Sequence, residues 1–180
     1  MIDLDNLEES IGKIYREYYL DVHRFLICFS GNQHDAEDIT QEVFIRVLNN
    51  LSNFNSSSSN LKTWIFSISK HAAVDHYRKK KFVSIFKDGF FKQIASTDKD
   101  PNELMEQNQM KKRVHEAISK LKPNYRTVVI LRGINEFSIK ETSEILQCSE
   151  SKVKVDYHRA LKELKRRINI DVGEVMKNAY

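Results

Sequence analysis

The sequence predicts an all-α protein made of two small helical domains joined by a flexible linker. Three observations lead there. Only 5 Gly and 2 Pro stand in 180 residues while Leu, Ile, Lys and Glu are plentiful, so helix formers dominate and breakers are rare. Apolar residues recur at steps of three and four through most of the chain, the period of a helix with one buried face. That period fades between Phe82 and Gln107, where "STDKDPNE" at 96–103 combines acids, a proline and no large apolar side chain. A chain of this length can bury a modest core on each side of such a break.

The first helix is expected from Leu7 to Ser30, with Leu7, Ile11, Ile14, Tyr18, Val22, Phe25 and Phe29 on its apolar face and Gly31 as its stop. The second runs from about Asp35 to Leu51. Asp35, Glu37 and Asp38 in its first turn suit the positive end of the helix dipole, and Ala36, Ile39, Val43, Val47 and Leu51 form its inner stripe. "NFNSSSSN" at 53–60 has little to bury and reads as a polar loop. A third helix, about Leu61 to Lys81, turns Trp64, Ile65, Ile68, Ala72 and Ala73 inward. "FVSIFKDGFF" at 82–91 carries more large apolar side chains than a spacer needs. It is expected to fold back on the N-terminal domain as a short helix or latch, with flexibility starting near Ser96. Helical signals resume at about Gln109 to Leu121. They resume again at Asn124 to Ile134 behind Pro123, a favourable first-turn residue. The resulting division is 7–82, a linker at 83–108, a second domain at 109–168 and a tail at 169–180.

The clearest motif lies near the end. Ser138 followed three residues later by Glu141 is a capping box for a short helix reaching Leu146. Gln147, Cys148 and Ser149 make a turn, and Glu150 to Ile168 forms a second helix with Val153, Tyr157, Leu161, Leu164 and Ile168 inward. This is a helix-turn-helix pattern, whose second helix can enter a major groove. Ser151, Lys154, Val155, His158, Arg159 and Lys162 then face outward: cationic donors for guanine edges, and one apolar side chain for a thymine methyl. Lys152, Lys165, Arg166 and Arg167 suit the flanking phosphates.

Charge agrees with an anionic partner. The chain is +4 overall, but residues 109–168 hold 15 basic against 7 acidic side chains, while residues 1–82 hold 10 against 11. From Lys62 to Lys81, Trp64, Phe66, His71 and Tyr77 are interleaved with basic residues, which suits stacking on unpaired bases. Trp64 fits that role and a core position equally well. An enzyme is not expected. The six histidines are scattered, and no metal-binding pair, glycine-rich phosphate loop or nucleophile elbow occurs, so neither a cofactor nor a metal is expected. The acidic N-terminus, Met1 to Ser10, does not read as a signal peptide, no apolar run approaches membrane length, and Cys28 and Cys148 lack metal or redox spacing. A cytoplasmic protein is expected.

Three stretches together resemble a known family. "DAEDITQEVFIRVLNN", "KTWIFSISKHAAVDHYRKKK" and "LKPNYRTVVILRGINEFSIKETSEILQCSESKVKVDYHRAL" are similar, in order and spacing, to the extracytoplasmic-function sigma factors of bacterial RNA polymerase. The resemblance spans about residues 10 to 168, and "HAAVDHYRK" and "CSESKVK" are most similar to the sigma-X type of envelope-stress regulator. It implies that Asp38, Gln41 and Glu42 bind core RNA polymerase. It implies that the loop from Phe54 to Asn60, with Lys62 and Trp64, captures an unpaired base of the −10 promoter element, and that Lys70, His71, Arg78 and Lys79 line the strand's path. Ser151, Lys152, Lys154, Val155, His158 and Arg159 would engage the −35 duplex. A monomer, commonly restrained by a membrane-bound anti-sigma factor, is implied. Two positions depart from the family pattern: Glu141-Thr142-Ser143 replaces the frequent Glu-Ile-Ala, and Asp156 stands where a basic residue is common. The competing reading of the residues is a stand-alone helix-turn-helix regulator, which would bind duplex DNA as a dimer without polymerase.

Overall fold

The computed structural model describes residues 7–56, 60–88 and 107–168. Within them lie seven α-helices: α1 (Leu7–Ser30), α2 (Gln33–Asn50), α3 (Leu61–Asp88), α4 (Gln107–Ser119), α5 (Pro123–Val129), α6 (Ile139–Leu146) and α7 (Glu150–Ile168). A 3-10 turn at Leu51–Asn53 follows α2, and a π-helical turn at Ile130–Ile134 follows α5. None of the described residues is in a strand. No helix among them is long and apolar enough to cross a membrane.

Helices α1 to α3 pack as one bundle around Val22, Phe25, Phe29, Ile39, Val43, Ile65 and Phe66, all essentially buried. Gly31 ends α1 with φ +71°, a left-handed conformation that side chains other than glycine adopt reluctantly. The cap of α2 sits earlier than its acids suggested: the Asn32 side-chain oxygen accepts from the Asp35 amide at 2.9 Å. Asp35 then reaches α3, meeting Lys80 at 2.5 Å and His76 at 3.5 Å. Helix α3 continues seven residues past the expected Lys81, so the backbone of 82–88 extends that helix instead of turning back. The rest of the expected latch, the joint near Ser96 and the 169–180 tail lie outside the described residues.

The C-terminal helices form a second core on Val114, Ile118, Val128 to Leu131, Ile145, Val153, Ala160 and Leu164. Ala160, small and next to Arg159, escaped the spacing argument, yet it is fully buried on the inner face of α7. The capping box is present as expected: the Glu141 amide donates to Ser138 Oγ at 3.1 Å, and the Ser138 amide to the Glu141 carboxylate at 2.8 Å. Gln147 closes α6 in the left-handed region, φ 53°. The single helix expected through Ile134 instead widens into the π turn, where the Asn135 amide reaches back to the Ile130 carbonyl at 2.9 Å.

The two domains pack on each other, a contact that helical spacing gives no sign of. Phe66 of α3 meets Phe137 edge-on at 4.6 Å between ring centres. Arg126 donates to the Phe29 carbonyl at 2.8 Å, and the Asn135 side chain to the Asp21 carbonyl at 3.2 Å. Cys28 Sγ lies 3.5 Å from His115 Nε2, and burial pushes the imidazole of His115 toward its neutral form.

Candidate polymerase and nucleic-acid interfaces

The outward face of α7 is the most complete of the candidate sites. Val153, Ala160 and Leu164 are buried, which fixes the rotation of the helix. Ser151, Lys152, Lys154, Val155, His158 and Arg159 are all exposed on the other side. Val155, at 45% exposure, is one of the few large apolar side chains left in water. Such a residue is tolerable singly on a surface helix, and among Lys154, His158 and Arg159 it gives the face both cationic and apolar groups. Lys152 does not point freely: its ammonium lies 2.6 Å from the Asp156 carboxylate, which holds the lysine's pKa above its ordinary value. The acid that departs from the family pattern therefore aligns a neighbouring cation along the helix. Thr142, the other departure, is fully buried between α6 and its surroundings, and Ser143 bonds back to the Lys140 carbonyl at 2.7 Å, so the short helix keeps its packing.

The α3 residues do not form one site. Trp64, His71 and Arg78 are seven apart and share a face. Trp64 is half-buried and meets Phe54 from the preceding loop at 5.0 Å between ring centres, so the tryptophan is neither wholly core nor wholly solvent. His71 is exposed, with Nδ1 2.7 Å from the Ser67 carbonyl oxygen. Arg78 and Lys79 are exposed near the basic end of the helix. Asn60, also exposed, accepts from the Lys62 amide at 2.8 Å and so shapes the entry into α3. Lys62 itself turns the other way, 3.0 Å from Asp21 and 5.3 Å above the Phe137 ring. Lys70 is half-buried, and loss of water around it lowers its pKa.

On α2, Asp38 and Gln41 are exposed and Glu42 half-exposed, with the Glu42 carboxylate paired to Arg46. Spacing arguments overlooked two companions. Ile45 and Leu48 are 56% and 39% exposed, and they continue the Asp38–Gln41 stripe at helical steps. The signal was available: both lie off the inner Ile39–Val43–Val47 line, so an apolar residue there has no core to join. Among the described residues no cluster of three or more His, Cys, Asp or Glu could hold a metal ion.

Comparison with known proteins fits this layout. Residues 14–83 match Sigma-70 region 2 and residues 111–164 match Sigma-70, region 4. The chain is 36% identical to the ECF RNA polymerase sigma factor SigX of Bacillus subtilis (strain 168), covering 94% of this chain and 89% of that protein. It is 32% identical to SigM of the same species, covering 92% and 99%. The fold is similar to RpoE in its complex with the anti-sigma factor NepR from Bartonella quintana, with a TM-score of 0.72, 22% identity and coverage of 91% and 99%. It is similar also to CnrH in complex with the cytosolic domain of CnrY, with a TM-score of 0.67, 18% identity and coverage of 90% and 89%. With both family regions matched in order, and about a third of its residues shared along nearly the whole length of such proteins, the chain belongs to the extracytoplasmic-function RNA polymerase sigma factors.

Proposed function

We propose that this sigma factor, which directs RNA polymerase to its promoters, divides the task among three surfaces. The α2 stripe of Asp38, Gln41 and Glu42 docks on core polymerase. Phe54, Asn60, Lys62 and Trp64, followed by Lys70, His71, Arg78 and Lys79, receive the unpaired −10 strand. Ser151, Lys152, Lys154, Val155, His158 and Arg159 engage the −35 duplex. The observation that carries this reading is the orientation of α7: its buried Val153, Ala160 and Leu164 turn every proposed −35 residue to solvent at once. Phosphate neutralisation by Lys152, Lys165, Arg166 and Arg167 supplies affinity, and Lys154, Val155 and Arg159 supply discrimination.

The same reading places the chain in the cytoplasm, where polymerase works, as a monomer serving an envelope-stress regulon. One similar fold was solved with an anti-sigma factor bound, which supports a comparable inhibitor here. The deciding experiment is transcription in vitro. Purified chain added to core polymerase should start transcripts at a defined class of promoter, and Arg159→Ala should change which templates are used. A chain that gives no initiation with polymerase yet binds a palindromic duplex as a dimer would overturn this function.

A further inference from the structure

We propose that Asp156 and Glu163 are specificity-determining residues: they keep the cations of one flank of α7 off random phosphates, so that these cations serve only where the −35 element is matched. The proposal rests on the assignment of α7 to the −35 duplex.

The exposed surface of α7 is not uniformly basic. Along one flank Lys152, Asp156, Arg159, Glu163 and Arg167 follow at steps of four, three, four and four, and the charge changes sign at every step. The Lys152 ammonium lies 2.6 Å from the Asp156 carboxylate, and the Arg167 guanidinium 2.7 Å from that of Glu163. Arg159 stands between the two acids, three residues after one and four before the other. On the adjoining stripe Lys154, His158, Lys162 and Lys165 are exposed, and no acid among the described residues pairs with them.

Neither folding nor simple attraction to DNA accounts for the acids. Ion pairs of this i, i+4 kind near the surface add little to stability. A face that only had to neutralise a polyanion would bind more tightly without them. The acids also sit lower than the cations: Asp156 and Glu163 side chains are 14% and 29% exposed, against 54% for Lys152 and 38% for Arg167. The cations therefore reach over their carboxylates along the helix.

Each acid acts in two ways. It cancels and confines one cation, so Lys152 and Arg167 meet a phosphate only where α7 lies fully in the groove. It also repels a phosphate that approaches Arg159, whereas the guanine edge is a neutral acceptor and is not repelled. Random duplex thus meets fewer usable cations than the −35 element does, and the ratio between the two affinities widens.

The test uses the full chain assembled with core polymerase. Binding is measured by competition, across a salt series, on a promoter duplex and on the same duplex with its −35 element scrambled. Log affinity falls with log salt by about 0.9 for each phosphate contacted, which at ~0.15 M salt makes one contact worth about fivefold. Asp156→Asn and, separately, Glu163→Gln should each tighten binding to the scrambled duplex about fivefold and steepen its salt slope by about 0.9. The intact promoter should gain less than about twofold, so the preference for it falls about threefold. Asp156→Glu, which keeps the charge, should behave as wild type. Equal gains on both duplexes, or an unchanged slope on the scrambled one, would overturn the proposal. If Asp156→Asn lowers helicity, Glu163→Gln alone decides on the same readouts. A wild-type complex with no preference for the intact −35 element would strike the assignment of α7 instead.

Discussion

Replacing Arg126 by methionine should cost about 3–5 kcal/mol of folding stability. The side chain is 4% exposed, and its guanidinium serves three backbone carbonyls: Phe29 at 2.8 Å, Leu121 at 3.2 Å and Ser119. Ser119 and Leu121 lie at and just beyond the end of α4, where carbonyls lack partners of their own, so Arg126 closes that helix from inside the fold. Each hydrogen bond from a charged donor contributes ~1.5–3 kcal/mol, and each carbonyl left buried and unpaired costs ~1–3 kcal/mol. The guanidinium also stacks 5.2 Å from Phe29 and 5.3 Å from Tyr77, which adds ~0.5–2 kcal/mol. Bonds to one group are not additive, and methionine keeps the packing of the aliphatic stem, so the total falls below the simple sum. Burial already disfavours the charged guanidinium, which offsets part of the gain. Urea unfolding followed by far-ultraviolet circular dichroism reads the difference. A loss below about 1 kcal/mol would mean that water or neighbouring donors replace the guanidinium, and the inward cap would not exist.

Three other perturbations address the remaining surfaces. Arg159→Ala should cost about 1–3 kcal/mol of discrimination at one base pair of the −35 element, measured by competition binding; equal losses on every sequence would reassign it to phosphate. Ile45→Glu, or Gln41→Ala with Glu42→Ala, should weaken capture of core polymerase at unchanged helicity, and wild-type capture by both would remove α2 as the docking stripe. Glu141→Gln should lower stability at neutral pH. Ser138 holds the Glu141 carboxyl below its ordinary range through its side chain and then its backbone. Because that folded pKa is depressed, the stabilisation is present above the unfolded value of about 4.3 and is lost as pH falls through the folded one. A gap between wild type and variant that persists unchanged at pH 3 would contradict the capping box.

Local chemistry made much of this chain legible. A serine and a glutamate three apart can satisfy each other's amides only at a helix start, so α6 was readable to the residue. Gly31 marked the end of α1 because few other residues accept its backbone. The bounds of α7 followed from a polar turn and a steady apolar stripe. What failed was anything needing a partner outside the element. Arg126 entered only as one unit of positive charge, since no sequence pattern tells which arginine meets three carbonyls. Val128 to Leu131 are consecutive and all buried, so the stripe has no outer side there and its period could not reveal the π turn. Asn32 was passed over for the acids behind it, although asparagine is among the most favourable caps. Within the candidate sites, the α7 face was readable because burial on one side dictates exposure on the other. The α3 residues were not, because the side that Lys62 faces depends on a second domain.

The π turn at Ile130–Ile134 carries one further consequence, for insertions and deletions. An α-helix advances about 100° per residue, and a turn that bonds five residues back holds one residue more than an α-helical turn would. The turn therefore absorbs one extra residue without changing the rotational phase downstream. Removing Gly133 would convert the bond from the Asn135 amide to the Ile130 carbonyl into an ordinary four-residue helical one and leave Asn135 and Phe137 near Asp21 and Phe66. One residue removed inside α7 has no such turn to absorb it and would rotate the rest of its outward face by about 100°. Sequences of this family that differ in length by one residue should therefore differ at this turn and keep α7 constant.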